Sequence, residues 1–336
     1  MVTRPDAAPR YPALRATGRG PAWYRGDCHL HSVLSQGAEL SVPQLTAAAR
    51  ALGLDFVATT EHDTVRGHEQ WAPPHSGDDL LVILGQEVTT RTGHWLALGL
   101  PPEQHVDSGY GIRDDTVERH LDRVRHTGGL CVLAHPYAPY PSGTSAYPYR
   151  WFDAVEVWNG LWASDLPWNA DNEAALAEWG RTLAHDVHRG RWRPAVGNSD
   201  THLAGQLGTP HTVVFAEDLS TEAILAGLRH GRSWIAESTA VHLKVEASTA
   251  DHVAAVGQHL PTGGEQATVR VEVSGVPSGV VTLHTERGIV RRATLSPDGT
   301  GTTRWRTTAD DAGHVRVEVR HPTRQMAALT NPIILT

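Results

Sequence analysis

The stretch Asp27-Cys28-His29-Leu30-His31-Ser32 decides how the rest of the chain is read. Side chains alternate across a β-strand, so two histidines one residue apart face the same side. Two imidazoles at the end of a strand make half of a metal site. A divalent ion takes about four to six donors, so later segments must deliver the others.

Working outward, helix-like and strand-like segments alternate from residue 41 to about residue 200. Ser41-Val42-Pro43 opens a helix that Gly53 closes, with a capping residue ahead of a first-turn proline. Strand patterns follow over 55–60, 80–84, 94–98, 130–134, 154–158, 193–196, 212–216 and 233–236. Helical patterns cover 114–126, 173–187 and 221–230. Repeated βα units predict an α/β fold, with a mainly parallel sheet or barrel and helices outside. After about residue 238 the texture changes. Stretches 269–273, 280–284 and 315–319 are strand-like, and turn signals such as Pro297-Asp298-Gly299 separate them. This pattern predicts a small all-β sandwich of immunoglobulin-like proportions. The expected division is a flexible N-terminal tail over 1–20, a barrel over 21–240 and a β-sandwich over 241–336.

Composition narrows the partners. The formal charge of the 336-residue chain is -8 and 20% of its residues are charged, which argues against nucleic acid as the main partner. There is no 18-residue apolar run, so no membrane partner is expected. Residues 1–20 lack the apolar core of a secretory signal. Cys28 and Cys131 do not make a disulfide framework and read as small buried thiols. Together these features predict a cytoplasmic protein acting on a small molecule.

There are 21 histidines, so position rather than abundance selects the ligands. His29 and His31 end the first strand. His62 follows strand 55–60, Glu87 follows 80–84, and His135 ends 130–134. Asp200 and His202 follow 193–196. The C-terminal ends of parallel barrel strands converge on one mouth, which brings these residues within reach of one another. His94 precedes its strand and joins them only through a turn back from Glu87. An imidazole and carboxylate set suits zinc, manganese or iron, and Glu87 is placed to bridge two ions.

This ordered set resembles the PHP (polymerase and histidinol phosphatase) family, and within it the CehA/McbA-type metallohydrolase branch. The resemblance spans about residues 23–238. It rests on the opening hexapeptide, Thr60-Glu61-His62-Asp63, Gly85-Gln86-Glu87, Gly93-His94, Ala134-His135-Pro136, Glu156-Val157-Trp158-Asn159-Gly160 and the run 198–202. The ending Leu329-Thr330-Asn331-Pro332-Ile333 is also familiar from that branch. The resemblance implies a distorted seven-stranded (β/α) barrel holding two divalent ions (Mn, Zn or Fe). His29, His31, Glu87 and Asp200 would hold the first, and Glu87, His94 and His135 the second. A third ion in trinuclear relatives uses the equivalents of His62 and His202 with a ligand just after the first motif. Here that stretch is Ser35-Gln36-Gly37, and Gln36 is a poor ligand. His62 and His202 are then candidates for catalytic proton transfer or substrate contact.

The expected chemistry is metal-assisted hydrolysis, most simply of a phosphate mono- or diester, with carbamate, amide or ester hydrolysis as the alternative. Arg66, Arg91 and Arg150 are candidate phosphate binders. Tyr137 belongs to an aromatic segment (Tyr137, Tyr140, Tyr147, Tyr149, Trp151) that directly follows His135 and would line a pocket or pack as a lid. Trp158 and Asn159 are expected at the mouth as substrate contacts. The sole lysine, Lys244, lies beyond the barrel, which excludes a lysine-bridged amidohydrolase site. A non-enzymatic metal-containing binding protein is the remaining rival, and it predicts a depleted donor set.

Overall fold

In the computed structural model, which describes residues 11–73, 75–77 and 79–336, the first two thirds of the chain alternate strands and helices. The strands are β1 (Ala22–Asp27), β2 (Phe56–Thr59), β3 (Leu81–Thr90), β4 (Gly93–Leu98), β5 (Leu130–Leu133), β6 (Ala154–Asn159), β7 (Ala195–Asn198), β8 (His211–Ala216) and β9 (Ser233–Ala236). The helices are α1 (Val42–Leu52), α2 (Val117–His126), α3 (Asn172–Asp186) and α4 (Thr221–Arg229). The α1 start is set as its sequence predicts: the Ser41 N–H donates to Gln44 Oε1 at 2.9 Å, and Pro43 occupies the first turn. Gly53 ends it at φ 70°, a conformation that costs glycine little. Strands β2 and β5 are buried along their whole length, which is why they read as unbroken apolar runs.

The sheet order is β7-β6-β5-β4-β3-β2-β1-β8-β9. The pairs β1–β2, β2–β3, β5–β6 and β6–β7 are parallel, while β4 runs antiparallel to both β3 and β5. The strands β1, β2, β3, β5, β6 and β7 therefore point the same way and share one C-terminal edge. The sheet is more mixed than the sequence suggested, since β8 and β9 are antiparallel additions. It curls until β7 meets β8. The Thr212 hydroxyl accepts from Gly197 N–H at 3.0 Å and donates to Gly197 O at 2.7 Å. A Cβ at Gly197 would lie 2.3 Å from Ile235 Cγ2, so the approach requires glycine.

Ten strands follow: β10 (His242–Ser248), β11 (Val253–Ala255), β12 (His259–Leu260), β13 (Ala267–Ser274), β14 (Val280–Thr285), β15 (Gly288–Thr294), β16 (Gly301–Thr307), β17 (His314–Arg320), β18 (Met326–Thr330) and β19 (Ile333–Leu335). One four-stranded sheet, β11-β10-β13-β16, shares a core with the second layer. In β13, Val269, Val271 and Val273 face that core, and Thr268, Arg270 and Glu272 face outward. The second layer continues the first sheet, because β18 pairs antiparallel with β9 and with β17. The two regions thus have one hydrogen-bonded ribbon in common. Of the expected N-terminal tail, residues 1–10 lie outside the described residues. The part over 11–20 is tied down: Ala16 N–H donates to Leu219 O at 2.9 Å, and Arg19 pairs with Asp55. Among the described residues no helix is long and apolar enough to cross a membrane.

Candidate metal centre

The shared C-terminal strand edge assembles the donors. His29 and His31 follow β1 and His135 follows β5. Glu87 lies inside β3, which extends six residues past the expected end, and His94 lies in β4. The β3–β4 hairpin supplies the required turn back: Glu87 pairs with Leu96 and Thr89 with His94. Asp200 follows β7, and both Asp200 (φ 51°) and His135 (φ 22°) hold left-handed backbone conformations. Such strain collects at functional sites.

Four buried atoms converge without hydrogen-bond partners: His29 Nε2, His31 Nε2, Glu87 Oε2 and Asp200 Oδ1. His29 Nε2 lies 3.4 Å from Glu87 Oε2 and 3.3 Å from Asp200 Oδ1. His31 Nε2 lies 3.3 and 3.1 Å from the same two oxygens. Neighbouring donors on one ion, each about 2.0–2.1 Å from it, are about 3–3.4 Å apart, so these four nitrogen–oxygen separations suit donors that share a divalent ion. The other Glu87 oxygen, Oε1, faces His94 Nδ1 at 2.9 Å and His135 Nε2 at 3.0 Å. One carboxylate thus serves two groups of donors.

The remaining ring nitrogens fix the tautomers. His29 Nδ1 lies 3.1 and 3.2 Å from the Glu156 oxygens and donates to that carboxylate. Glu156 also accepts from Asn198 Nδ2, Asn159 Nδ2 and the His135 N–H. The Ser35 hydroxyl donates to Glu61, so it accepts from His31 Nδ1 at 3.1 Å and from the His62 N–H at 2.9 Å. Both histidines of the opening motif therefore carry their proton on Nδ1 and leave the Nε2 lone pair for the centre. Burial opposes charge on His29, but Asp200, Glu156 and Glu87 outweigh it and drive its pKa well above the ordinary value. His31 is raised to about 9 against the same penalty by Asp200 and Glu87. The buried carboxylates demand positive charge at this spot, which a divalent cation satisfies.

His62 and His202 flank His31 on the open side, with ring centroids 4.2 and 4.3 Å from it. His62 Nε2 is 3.0 Å from Glu87 Oε2, and His202 Nδ1 donates to Asp200 O at 2.9 Å. His31, His62 and His202 form a further three-donor group. His31 has only one free nitrogen, so it cannot serve that group and the quartet together. Gln36 is exposed and has no hydrogen bond to either flanking histidine.

The expected substrate contacts divide. Asn159 belongs to the centre, donating to Glu156 at 3.0 Å and to Asp200 at 3.3 Å. Trp158 does not: it is buried against Trp162, because a β-bulge between Glu156 and Trp158 turns its side chain outward under α3. Arg150 precedes the N-terminal end of β6, so it lies at the opposite edge from the donors, where its carbonyl accepts from Arg193. Arg91 is engaged by Asp114 and Gly109. Arg66 is exposed just beyond Asp63. Tyr137 lies beside Asp171, Glu178 and Arg181, away from the donors, whereas the Tyr140 ring approaches His94 and His135 at 5.9 and 6.2 Å. Sequence reasoning gave Glu156, Glu61 and Ser35 no role of their own, although each stands in a quoted stretch, and named Tyr140 only within the aromatic segment expected to line a pocket or pack as a lid. A lone charge inside an apolar strand, as in Ala154-Val155-Glu156-Val157, was the available signal.

A family model described as PHP-associated matches residues 182–233, the segment that carries Asp200 and His202. An uncharacterized protein of Methanocaldococcus jannaschii, MJ1587, is 27% identical over 149 residues, covering 40% of this chain and 81% of its own. A two-domain protein of Bacteroides vulgatus containing a predicted PHP-like metal-dependent phosphoesterase aligns over 97% of this chain and 100% of its own, at 18% identity and TM-score 0.48. The lesion-specific endonuclease PfuEndoQ of Pyrococcus furiosus covers 62% of this chain and 56% of its own, at 18% identity and TM-score 0.44. Over residues 182–233 the chain is thus similar to PHP-associated sequences.

Proposed function

We propose that the protein is a metal-dependent hydrolase of the PHP type, resembling the CehA/McbA branch, that cleaves a small phosphate mono- or diester. The observation that carries this reading is the quartet of orphaned buried atoms, with nitrogen–oxygen separations of 3.1–3.4 Å, joined through Glu87 to His94 and His135. His29, His31, Glu87 and Asp200 would hold one ion, and Glu87, His94 and His135 a second. Bound divalent ions supply Lewis acidity toward the electrophile and acidify a coordinated water. The chain's own contribution is orientation. Glu156 and Ser35 fix the imidazole tautomers, and Asn159 steadies Asp200. His62 Nε2 and His202 Nε2, on the open side, are the atoms that would exchange a proton with the leaving group. The unpaired cysteines fit a cytoplasmic setting.

A second reading, carbamate, amide or ester hydrolysis, is favoured by the rim. The loops after β1, β6 and β7 expose Val33, Leu34, Leu161, Leu166, Trp168 and Leu203. Neither Arg91 nor Arg150 reaches the donors. A non-enzymatic binding protein is disfavoured because the donor set is complete for two ions. Metal content by mass spectrometry, with hydrolysis of p-nitrophenyl phosphate, bis-p-nitrophenyl phosphate and an aryl carbamate, separates these readings. Phosphoester turnover that disappears in His29→Ala and Glu87→Ala is expected. Turnover of the carbamate alone selects the second reading, and inactivity on all three with Mn or Zn leaves the binding protein.

A further inference from the structure

We propose that Tyr140 is a catalytic residue of this centre, donating a hydrogen bond from its phenol to the electrophile's oxygen, the atom that gathers negative charge as water adds. The inference rests on the hydrolase reading above and assigns it a substrate-facing group.

Among the tyrosines of the segment after His135, the hydroxyls have different surroundings. Tyr147 shares a hydrogen bond with Thr90 at 2.6 Å, and the Tyr149 hydroxyl is buried in the fold. Tyr137 lies toward α3. Tyr140 alone of these sits on the donors, on the side of His94 and His135, and its half-buried ring leaves the hydroxyl without a protein partner among the described residues. A phenol placed this way is satisfied by water or by substrate. A phenol carries one O–H, and the role assigned to it here is that of a hydrogen-bond donor.

The loop is built to hold that ring. Gly143 and Thr144 N–H groups both donate to Tyr140 O, at 3.0 and 3.1 Å. Thr144 Oγ1 donates to Ala138 O at 2.6 Å, and Ser145 N–H donates to Pro136 O at 2.8 Å. Ala146 N–H reaches Thr92 O at 2.9 Å, at the tip of the hairpin that carries His94. The ring also lies across Gly143, where a Cβ would come 2.2 Å from Tyr140 Cε2. A prepositioned donor aimed at an oxygen that gathers charge supplies more to rate than to ground-state affinity.

Two variants test this in the full chain. Tyr140→Phe removes the O–H and keeps the ring, while Gly143→Ala keeps the O–H and displaces the ring. Both are expected to lower kcat about 100–1000-fold and to raise KM by a smaller factor, at unchanged metal content. Calorimetric binding of methylphosphonate, an oxyanion probe, is expected to weaken about 5–30-fold in Tyr140→Phe. Unaltered kcat and phosphonate affinity in Tyr140→Phe overturn the proposal, as does loss of metal in that variant, which makes Tyr140 a prop for His94 and His135. A wild-type chain that turns over none of the esters yet binds methylphosphonate through Tyr140 overturns the hydrolase reading and keeps the contact. A wild-type chain that does neither overturns both.

Discussion

Glu156 has no predicted place in the ligand set, yet it holds four groups of the centre. Its carboxylate holds His29 Nδ1, both asparagine amides and the His135 backbone N–H. Replacing it by Gln supplies an NH₂ where an acceptor is needed and frees His29 to change tautomer. Glu156→Gln should weaken divalent metal binding about 10–100-fold, read by competition with a chromophoric chelator, with thermal stability of the metal-free chain little changed. Equal affinity in the variant would assign Glu156 to packing alone. The candidate donors could be picked out because spacing and strand-end position are one-dimensional facts. Their partners could not, because Glu61, Ser35 and Glu156 act through hydrogen bonds that cross 26, 4 and 127 residues of chain. Trp158 misled for a related reason: alternation puts it on the face of Glu156, and one bulge reverses that.

At the scale of elements, the β3–β4 hairpin is the part whose length was misread. An apolar run seemed to end at residue 84, but the strand continues through Glu87 to Thr90, because polar side chains there are satisfied inside the protein rather than by water. Gln86 exchanges hydrogen bonds with Val106, for example. Gly93 closes the hairpin at φ 134°, with space for a Cβ blocked by Ser145 atoms at 2.7 and 3.0 Å. Gly93→Ala should move His94 and lower the metal count from two ions to one while the quartet keeps its ion. Mass spectrometry of the native protein reads that count, and two retained ions would refute it. At the start of β8, His211 is buried and donates to Gly208 O at 3.0 Å. Burial lowers its pKa to about 4. Its folded value lies below its unfolded one near 6.5, so the unfolded chain binds the extra proton. Its contribution is flat above that pH, and stability falls as pH drops toward 4. Between pH 7.5 and 5 the loss is about 2 kcal/mol. His211→Asn should flatten that limb in urea titrations of the metal-free chain, and an unchanged slope would clear His211 of the role.

For the molecule as a whole, the sequence marks a change of texture near residue 238 and is silent about how the two regions join. Asn331 makes the join. Its Oδ1 accepts from Ala195 N–H at 2.7 Å, and its Nδ2 donates to Ala195 O and Ser233 O at 2.9 and 3.0 Å. It thereby ties β7 to β9 from a position more than 90 residues downstream. Asn331→Ala leaves buried peptide groups unpaired and should cost about 2–4 kcal/mol by urea unfolding. A chain truncated after residue 240 should fail to fold as a monomer; a cooperative thermal transition in that fragment would refute the dependence. A composition shift registers where side-chain periodicity changes, but a shared strand such as β18 is invisible to it, since pairing partners are chosen in space. The shared strand also has a mechanical consequence. A ribbon of hydrogen bonds that runs from β17 through β18 into β9 is stiff along its length and offers no seam at which two lobes could swing apart. Admission of a substrate and release of its products then fall to the loops above the metal ligands, so turnover should respond to solvent viscosity through those loops rather than through any rocking of one lobe on the other.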